Sequence, residues 1–197
     1  MLDLSPRRRL LLDAATTVLA REGSRGFTHR AVDREAGVAE GSCSAYWRTR
    51  QALMSAVAAV VSARISHDVA TIAERVPENP PHDASEALVL ELFDHWLKEP
   101  TVLLARLELT LMSARDSDLA VAMSTTRGNL ESMVEAALTR TGSTEAEGDA
   151  ATDASTLVAA MDGILLNALL LVPTERPTYL SRSVRRAVEG LTRTPEA

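Results

Sequence analysis

The sequence predicts an all-α protein of about nine helices. Three observations lead there. Aromatic residues make up only 3% of the 197 positions, so the core has to be assembled from Leu, Ala, Val and Met, a mix that suits helices better than strands. Apolar residues recur at helical spacing in one segment after another. No stretch of useful length alternates apolar with polar residues, and there is no sequence repeat or heptad run.

The elements follow in chain order. Ser5 and Pro6 signal a helix start. Leu11, Ala14, Ala15, Val18 and Leu19 continue it as an apolar stripe, and Gly23 and Gly26 end it. Thr28 is a good N-cap for a short second helix through Glu35. Gly37 breaks that helix, and Val38 to Tyr46 holds a third short segment. Thr49 caps a long helix to about Val76. The segment 77–81, with three prolines, has to be a loop. A helix from about Ala84 to Glu99 follows, then one from Pro100 to about Ala114. Asp116-Ser117-Asp118 is a cap-rich break before a helix to about Thr141. Residues 142–153 are a small-residue acidic connector, whose end overlaps the start of the next helix. Ser155–Val172 is apolar on most faces, Pro173–Pro177 is a turn, and Thr178–Thr192 is the last helix.

The apolar share of 46% and the charged share of 24% are those of an ordinary globular chain and exclude global disorder. The formal net charge of −6 argues, for the chain as a whole, against nonspecific nucleic-acid or membrane-surface binding. The charge is unevenly spread. Residues 1–50 carry nine arginines against six acids, a balance of +3, and residues 51–197 carry a balance of −9. Cys43 is the single cysteine, which excludes an internal disulfide. The N-terminus has an arginine run but no apolar signal core. The longest apolar stretch, residues 163–172, reaches about half of the roughly 20 residues of a membrane span. A soluble, cytoplasmic chain with no membrane partner is expected.

Residues 28–53, THRAVDREAGVAEGSCSAYWRTRQAL, have the grammar of helix, glycine-containing tight turn, helix. In a helix-turn-helix the second helix enters the major groove and its first residues reach base edges. Ala39, Glu40, Ser42, Ser44 and Ala45 are the expected exposed positions, and Val32, Ala36, Val38, Cys43 and Trp47 are expected to lock the helices together.

The segment resembles the N-terminal DNA-binding domain of the TetR family of transcriptional regulators. The matching elements are the leading helix ending in Arg21-Glu22-Gly23, then Phe27-Thr28, Ala36-Gly37-Val38, Gly41, the aromatic pair Tyr46-Trp47, and Thr49-Arg50-Gln51-Ala52-Leu53. The match covers about residues 7–54 without gaps. Ser44 stands where Tyr is frequent, Trp47 where Phe is usual, Arg48 where Pro is usual, and Asp33 where Ala is common.

The resemblance implies a DNA-binding domain over 1–49 and a helical ligand-binding and dimerisation domain over 50–197. Its implied DNA contacts are Thr28, whose cap and nearby amides meet a phosphate, Arg30, the Gly41 amide, Tyr46 on backbone phosphate, and Thr49 and Arg50 at the start of the long helix. Ser42, Ser44 and Glu40 are the base-edge candidates, since Glu accepts from a cytosine amino group. Arg7, Arg8 and Arg9 are placed to follow the backbone or a minor groove. The family implies a pocket between the middle helices, with Trp96, Arg106, Glu108, Met112, Met123 and Asn167 as lining candidates. It also implies a two-fold interface from the last two helices, with Leu157, Met161, Ile164, Leu165, Ala168 and Leu169 as its apolar stripe. The implied function is a homodimeric regulator, a repressor released from a palindromic double-stranded DNA operator by a small-molecule effector. The alternative is a helical small-molecule-binding protein or enzyme whose first three helices are scaffold only.

No enzyme signature is present: there is no Gly-x-Ser-x-Gly, phosphate loop or zinc spacing. His29, His67, His82 and His95 are too dispersed for a metal site, Cys43 reads as a small apolar filler, and no cofactor is expected.

Overall fold

The computed structural model describes residues 4–76, 82–140 and 147–192. Among these residues there are nine helices and no strand: α1 Pro6–Gly26, α2 His29–Glu35, α3 Ser42–Tyr46, α4 Arg50–Arg75, α5 His82–Lys98, α6 Thr101–Ser113, α7 Ser117–Arg140, α8 Glu147–Leu170 and α9 Arg176–Thr192. The loop expected at 77–81 and the first part of the connector, 142–146, lie outside the described residues.

The chain divides into two compact units, Met1–His67 with Glu99–Arg127, and Asp68–Lys98 with Gly128–Ala197. The first unit is built on α1. Its stripe buries Leu11, Leu12, Ala14, Ala15, Val18 and Leu19, which is the helical period read from the sequence. The stripe shares one core with Phe27, Ala31, Val32 and Cys43, with Leu53, Met54, Val57, Val60 and Val61 of α4, and with Ala105, Leu109 and Leu119. Each fully buried Leu or Val contributes about 1.5–3 kcal/mol of transfer free energy, so this cluster is what supports the short helices α2 and α3. Ser5 caps α1 by accepting from the Arg8 amide at 3.4 Å. Gly23 interrupts α1 with φ +63°, a left-handed conformation that a side chain would strain. Asp116 caps α7, accepting from the Leu119 and Asp118 amides at 3.0 and 3.1 Å. The Leu119 amide, then the Gln51 side chain, hold its carboxyl below the ordinary range.

In the second unit α9 packs on both α5 and α8. Glu86 of α5 is buried and accepts from Arg185 Nε at 3.1 Å and from Ser181 Oγ at 3.2 Å. Phe93 and Trp96, both buried, stack with centroids 6.2 Å apart, and Trp96 Nε1 donates to Asp68 at 2.9 Å.

The structure refines three sequence expectations. Within the segment 38–46 the third helix begins only at Ser42, because residues 39–42 form a turn closed by Ser42 N–H to Ala39 O at 3.1 Å. The end of the acidic connector, residues 147–153, forms the first turns of α8, as the expected overlap allows, and Ala150 and Ala154 are buried there, at 4% and 0% exposure. In α8 the stripe expected at the dimer interface is largely internal. Ile164, Leu165 and Ala168 are buried within the chain and Leu157, Met161 and Leu169 are half-buried. The side facing out carries Ala159, Leu166, Asn167 and Leu170, with Leu166 at 49% and Leu170 at 79% exposure.

By length and composition two helices, Arg50–Arg75 and Ala150–Leu170, are apolar enough to cross a membrane. In the first of them Leu53, Met54, Val57, Val60 and Val61 belong to the core of the first unit.

Phe27 is fully buried at the junction of α1 and α2. Phe27→Ala is expected to lower unfolding stability by about 3–5 kcal/mol, measured as a shift of the urea midpoint.

Candidate nucleic-acid interface

α2, the turn at 36–41 and α3 form a helix-turn-helix, and both helices are short. α2 has seven residues and α3 five, well below the roughly 12–15 needed for an isolated helix to persist. Their geometry comes from buried anchors and from hydrogen bonds to their ends. Val32 and Cys43 are fully buried, and Ala36, Val38 and Trp47 pack against the same core, so the five positions expected to lock the motif do so.

Polar contacts fix the ends. Thr28 Oγ1 accepts from the Ala31 amide at 3.1 Å and caps α2. Thr49 Oγ1 accepts from the Ala52 amide at 3.0 Å and caps α4. Gly41 precedes α3 at φ +91°, ψ −10°, a left-handed conformation that glycine adopts without strain, and it offers α3 no side-chain cap. The cap comes from Asp33. Its Oδ2 accepts from the Gly41 amide and its Oδ1 from the Cys43 amide, both at 2.8 Å. At the other end of α3, His29 Nε2 lies 2.7 Å from the Trp47 carbonyl. A carbonyl only accepts, so that nitrogen carries the proton.

The expected DNA-contacting residues fall into two groups by exposure. Glu40, Gly41, Tyr46, Thr49, Arg50, Thr28 and Arg30 are exposed. Ser42 and Ser44 are half-buried, and their hydroxyls have partners within the chain. Ser44 Oγ donates to the Gly41 carbonyl at 3.0 Å, and Ser42 Oγ accepts from Arg7 at 3.4 Å. The Gly41 amide, expected to meet a phosphate, is taken by Asp33, so Gly41 offers backbone conformation rather than a donor.

Arginines gather around α3. Arg8 lies over the Tyr46 ring at 5.4 Å, Arg7 reaches Ser42, and Arg30 stands 3.7 Å from Glu40 with both side chains mostly exposed. Tyr46 is 40% exposed and tilts against Trp47, with centroids 5.7 Å apart. Trp47 fills the core while Tyr46 faces out. Arg50 donates to the Ser24 carbonyl at 2.6 Å and the Phe27 carbonyl at 3.2 Å. It thereby joins α4 to the link between α1 and α2, and these neutral partners leave its charge uncompensated. By contrast Arg21 pairs with Glu35 and Glu22 at 2.8 and 2.9 Å.

The six pocket candidates divide between the two units. Arg106, Glu108, Met112 and Met123 belong to the first unit, Trp96 and Asn167 to the second. Met112 and Met123 pack on the core under the helix-turn-helix, and the Glu108 carboxylate lies beside Gly23. Asn167 is exposed and donates to the Gly163 carbonyl of its own helix at 2.9 Å. The reason is that α6 and the first turns of α7 pack with α1 and α4, so their inward side chains are committed there. No group of three or more metal-ligating side chains occurs among the described residues.

Asp33 and His29 were not legible as contacts. Asp33 interrupts a buried run with Ala31 and Val32, and an acid at a position that must be buried is the one signal of its role in the sequence.

Comparison with known proteins agrees with this geometry. Residues 11–57 match the family model described as bacterial regulatory proteins, tetR family, and residues 80–194 match that described as tetracyclin repressor-like, C-terminal domain. No curated protein sequence matches the chain. Among solved structures, the multidrug binding protein EbrR complexed with imidazole is similar at 26% identity and TM-score 0.66, over 98% of this chain and 94% of that one. The complex of EbrR with ethidium is similar at 26% identity and TM-score 0.64, over 92% and 98%. A TetR family member from Streptomyces coelicolor A3 is 25% identical with TM-score 0.71, over 96% and 100%. A TetR-family regulator structure from Mesorhizobium loti shares the fold at 18% identity and TM-score 0.77, over 94% of each chain.

Burial, and then the charge of Asp33, push the Cys43 thiol from about 9 up to about 11. The folded protein therefore holds this proton to higher pH than the unfolded chain. The stabilisation is fully present below about pH 9 and is lost as pH rises through 11. At pH 8 native Cys43 is expected to react with iodoacetamide at least about 10-fold more slowly than in urea, because both access and thiolate are reduced. Equal rates, read by mass spectrometry, would show the site to be open.

Proposed function

Because the chain belongs to the TetR family of bacterial regulatory proteins, we propose that it is a homodimeric, cytoplasmic repressor that leaves a palindromic operator when a small molecule binds. Residues 1–49 read the DNA, and residues 50–197 sense the effector and dimerise. The observation that carries the reading is the exposed side of α3, with Ala45 and Tyr46 facing out, Glu40 exposed in the turn just before it, and Arg7 and Arg8 drawn against the same helix.

In this role α3 enters the major groove. Glu40 meets a base edge, and Ser42 and Ser44 do so by exchanging their internal partners. Tyr46, Arg30, Thr28, Thr49 and Arg50 hold phosphates and fix the register. Two headpieces in adjacent half-sites stand about 34–36 Å apart. An effector that prefers another separation releases the DNA, with leverage equal to its differential affinity for the two states. EbrR is found with ethidium, a planar aromatic cation. The second unit here holds a buried stack of Phe93 and Trp96 beside the Asp68 carboxylate, groups suited to an effector of that chemistry. The outward side of α8, with Ala159, Leu166, Asn167 and Leu170, supplies the dimer contact in place of the buried residues 164, 165 and 168. No catalytic group is required for any of these steps.

Selection of bound duplex from a random library is expected to return a palindrome whose affinity falls steeply with salt. Tyr46→Ala should weaken binding about 10-fold or more while the circular dichroism melt is unchanged, as Trp47 keeps the core filled. Failure of the wild-type chain to enrich any sequence at low salt without effector would sink the reading.

The double change Leu166→Glu and Leu170→Glu places two charges on the outward side of α8. In sedimentation velocity it is expected to give a folded monomer with operator affinity lowered about 100-fold or more, since half the phosphate contacts are lost.

A further inference from the structure

We infer that His29 and Asp33 form a two-point polar clamp on α2 that positions the DNA-reading helix, an inference that rests on the DNA-binding reading above. The two residues are four apart, so they share one side of α2. Asp33 holds the start of α3 and His29 holds its end: the Gly41 and Cys43 amides donate to the Asp33 carboxylate, each at 2.8 Å, and His29 Nε2 donates to the Trp47 carbonyl at 2.7 Å. The Asp33 main chain adds a third bond to the turn, because its carbonyl accepts from the Val38 amide at 3.0 Å.

Asp33 is 1% exposed. A carboxylate taken that far from water is tolerated only when its oxygens are satisfied, and here each oxygen holds one amide of the turn. α3 has five residues and no cap of its own. Its orientation relative to α2 is therefore imposed from outside, by Cys43 and Trp47 in the core and by the clamp at its two ends. The negative charge at the N-terminal end also suits the helix dipole. One consequence separates this motif from a phosphate-binding helix end. The Gly41 and Cys43 amides are occupied within the chain, so α3 meets DNA with its side, through Ala45 and Tyr46, with Glu40 beside them in the preceding turn.

A positioning role differs from a folding role in what it does to selectivity. Phosphate contacts made by the arginines tolerate a tilted α3, and base-edge contacts do not. In Asp33→Asn one oxygen remains for one amide, and the new NH2 group faces the other amide donor to donor. The variant also removes a negative charge from the headpiece, which by electrostatics alone would tighten binding to any DNA.

The test uses full-length protein, the duplex selected by the wild type, and a scrambled duplex of equal length. Asp33→Asn is expected to lose about 10- to 100-fold on the selected duplex, the size of effect given by leaving a buried donor unpaired, while affinity for the scrambled duplex stays level or rises. His29→Ala, at a half-buried site, is expected to lose about 10-fold on the selected duplex only, and His29→Gln, whose amide donates to the same carbonyl, to recover most of that loss. In ¹⁵N spectra of free protein the Gly41 and Cys43 amide protons should move upfield in Asp33→Asn. Equal losses on both duplexes would assign the two residues to folding and overturn the positioning role. Unchanged selectivity in folded variants would overturn it as well. A wild type that selects no sequence would instead overturn the DNA reading on which it rests, and the amide shifts would still report whether the clamp exists.

Discussion

The apolar seam between α1 and the helices laid against it is the constraint on which the first unit depends. Helices of seven and five residues cannot pay the entropy of their own nucleation. α2 and α3 exist because Val32 and Cys43 reach a core already organised by Leu11, Ala15, Val18 and Leu19 on one side and by Leu53 and Val57 on the other. Leu109 of α6 and Leu119 of α7 close the same core. The compact unit that carries the helix-turn-helix is consequently larger than the motif, and α6 belongs to it although more than fifty residues separate the two in sequence.

Once the core fixes the outer faces, polar contacts decide finer geometry. Three residues next to the turns, Thr28, Thr49 and Asp116, satisfy amides at helix starts. Arg50 and His29 satisfy carbonyls at segment ends. These groups are orphaned wherever helices end, and a motif made of very short helices has a high proportion of them. Asp33 is the extreme case, since it serves amides eight and ten residues away.

This explains what was legible in the sequence. The stripe of α1 was readable because burial on one side of a helix leaves a 3.6-residue period. The caps Ser5, Thr28 and Thr49 were readable because a cap is a local event, three residues long. Asp33 was not, since its partners are set by how the chain folds back and nothing in the local pattern reports them. In α8 the difficulty was different. A helix apolar on most sides gives no phase, so Leu165 and Leu166 look alike in sequence while one is 2% and the other 49% exposed. The division of the pocket candidates between the two units was hidden for a similar reason at a larger scale: the place of α6 and α7 in the middle of the chain did not reveal that α6 packs on α1.

Charge closes the connection between the two halves of the chain. The surplus of +3 over residues 1–50 overstates what one headpiece can offer to phosphate. Arg21 is spent on Glu35 and Glu22, whose hydrogen bonds raise its pKa further, and Arg30 shares the field of Glu40. Arg50 is hydrogen-bonded too, but to carbonyl oxygens, so its full charge remains available. Arg7 and Arg8 are drawn to α3 through Ser42 and Tyr46 and concentrate positive charge beside the side of the helix that is proposed to read bases. A headpiece with few uncompensated arginines, attached to a body of net charge −9, has little capacity for tight nonspecific binding, because affinity for the backbone scales with the number of phosphates neutralised. In the proposed dimer the two headpieces add their contacts and the acidic body suppresses the background. Selectivity then rests on how rigidly α3 is held, and occupancy rests on the outward side of α8.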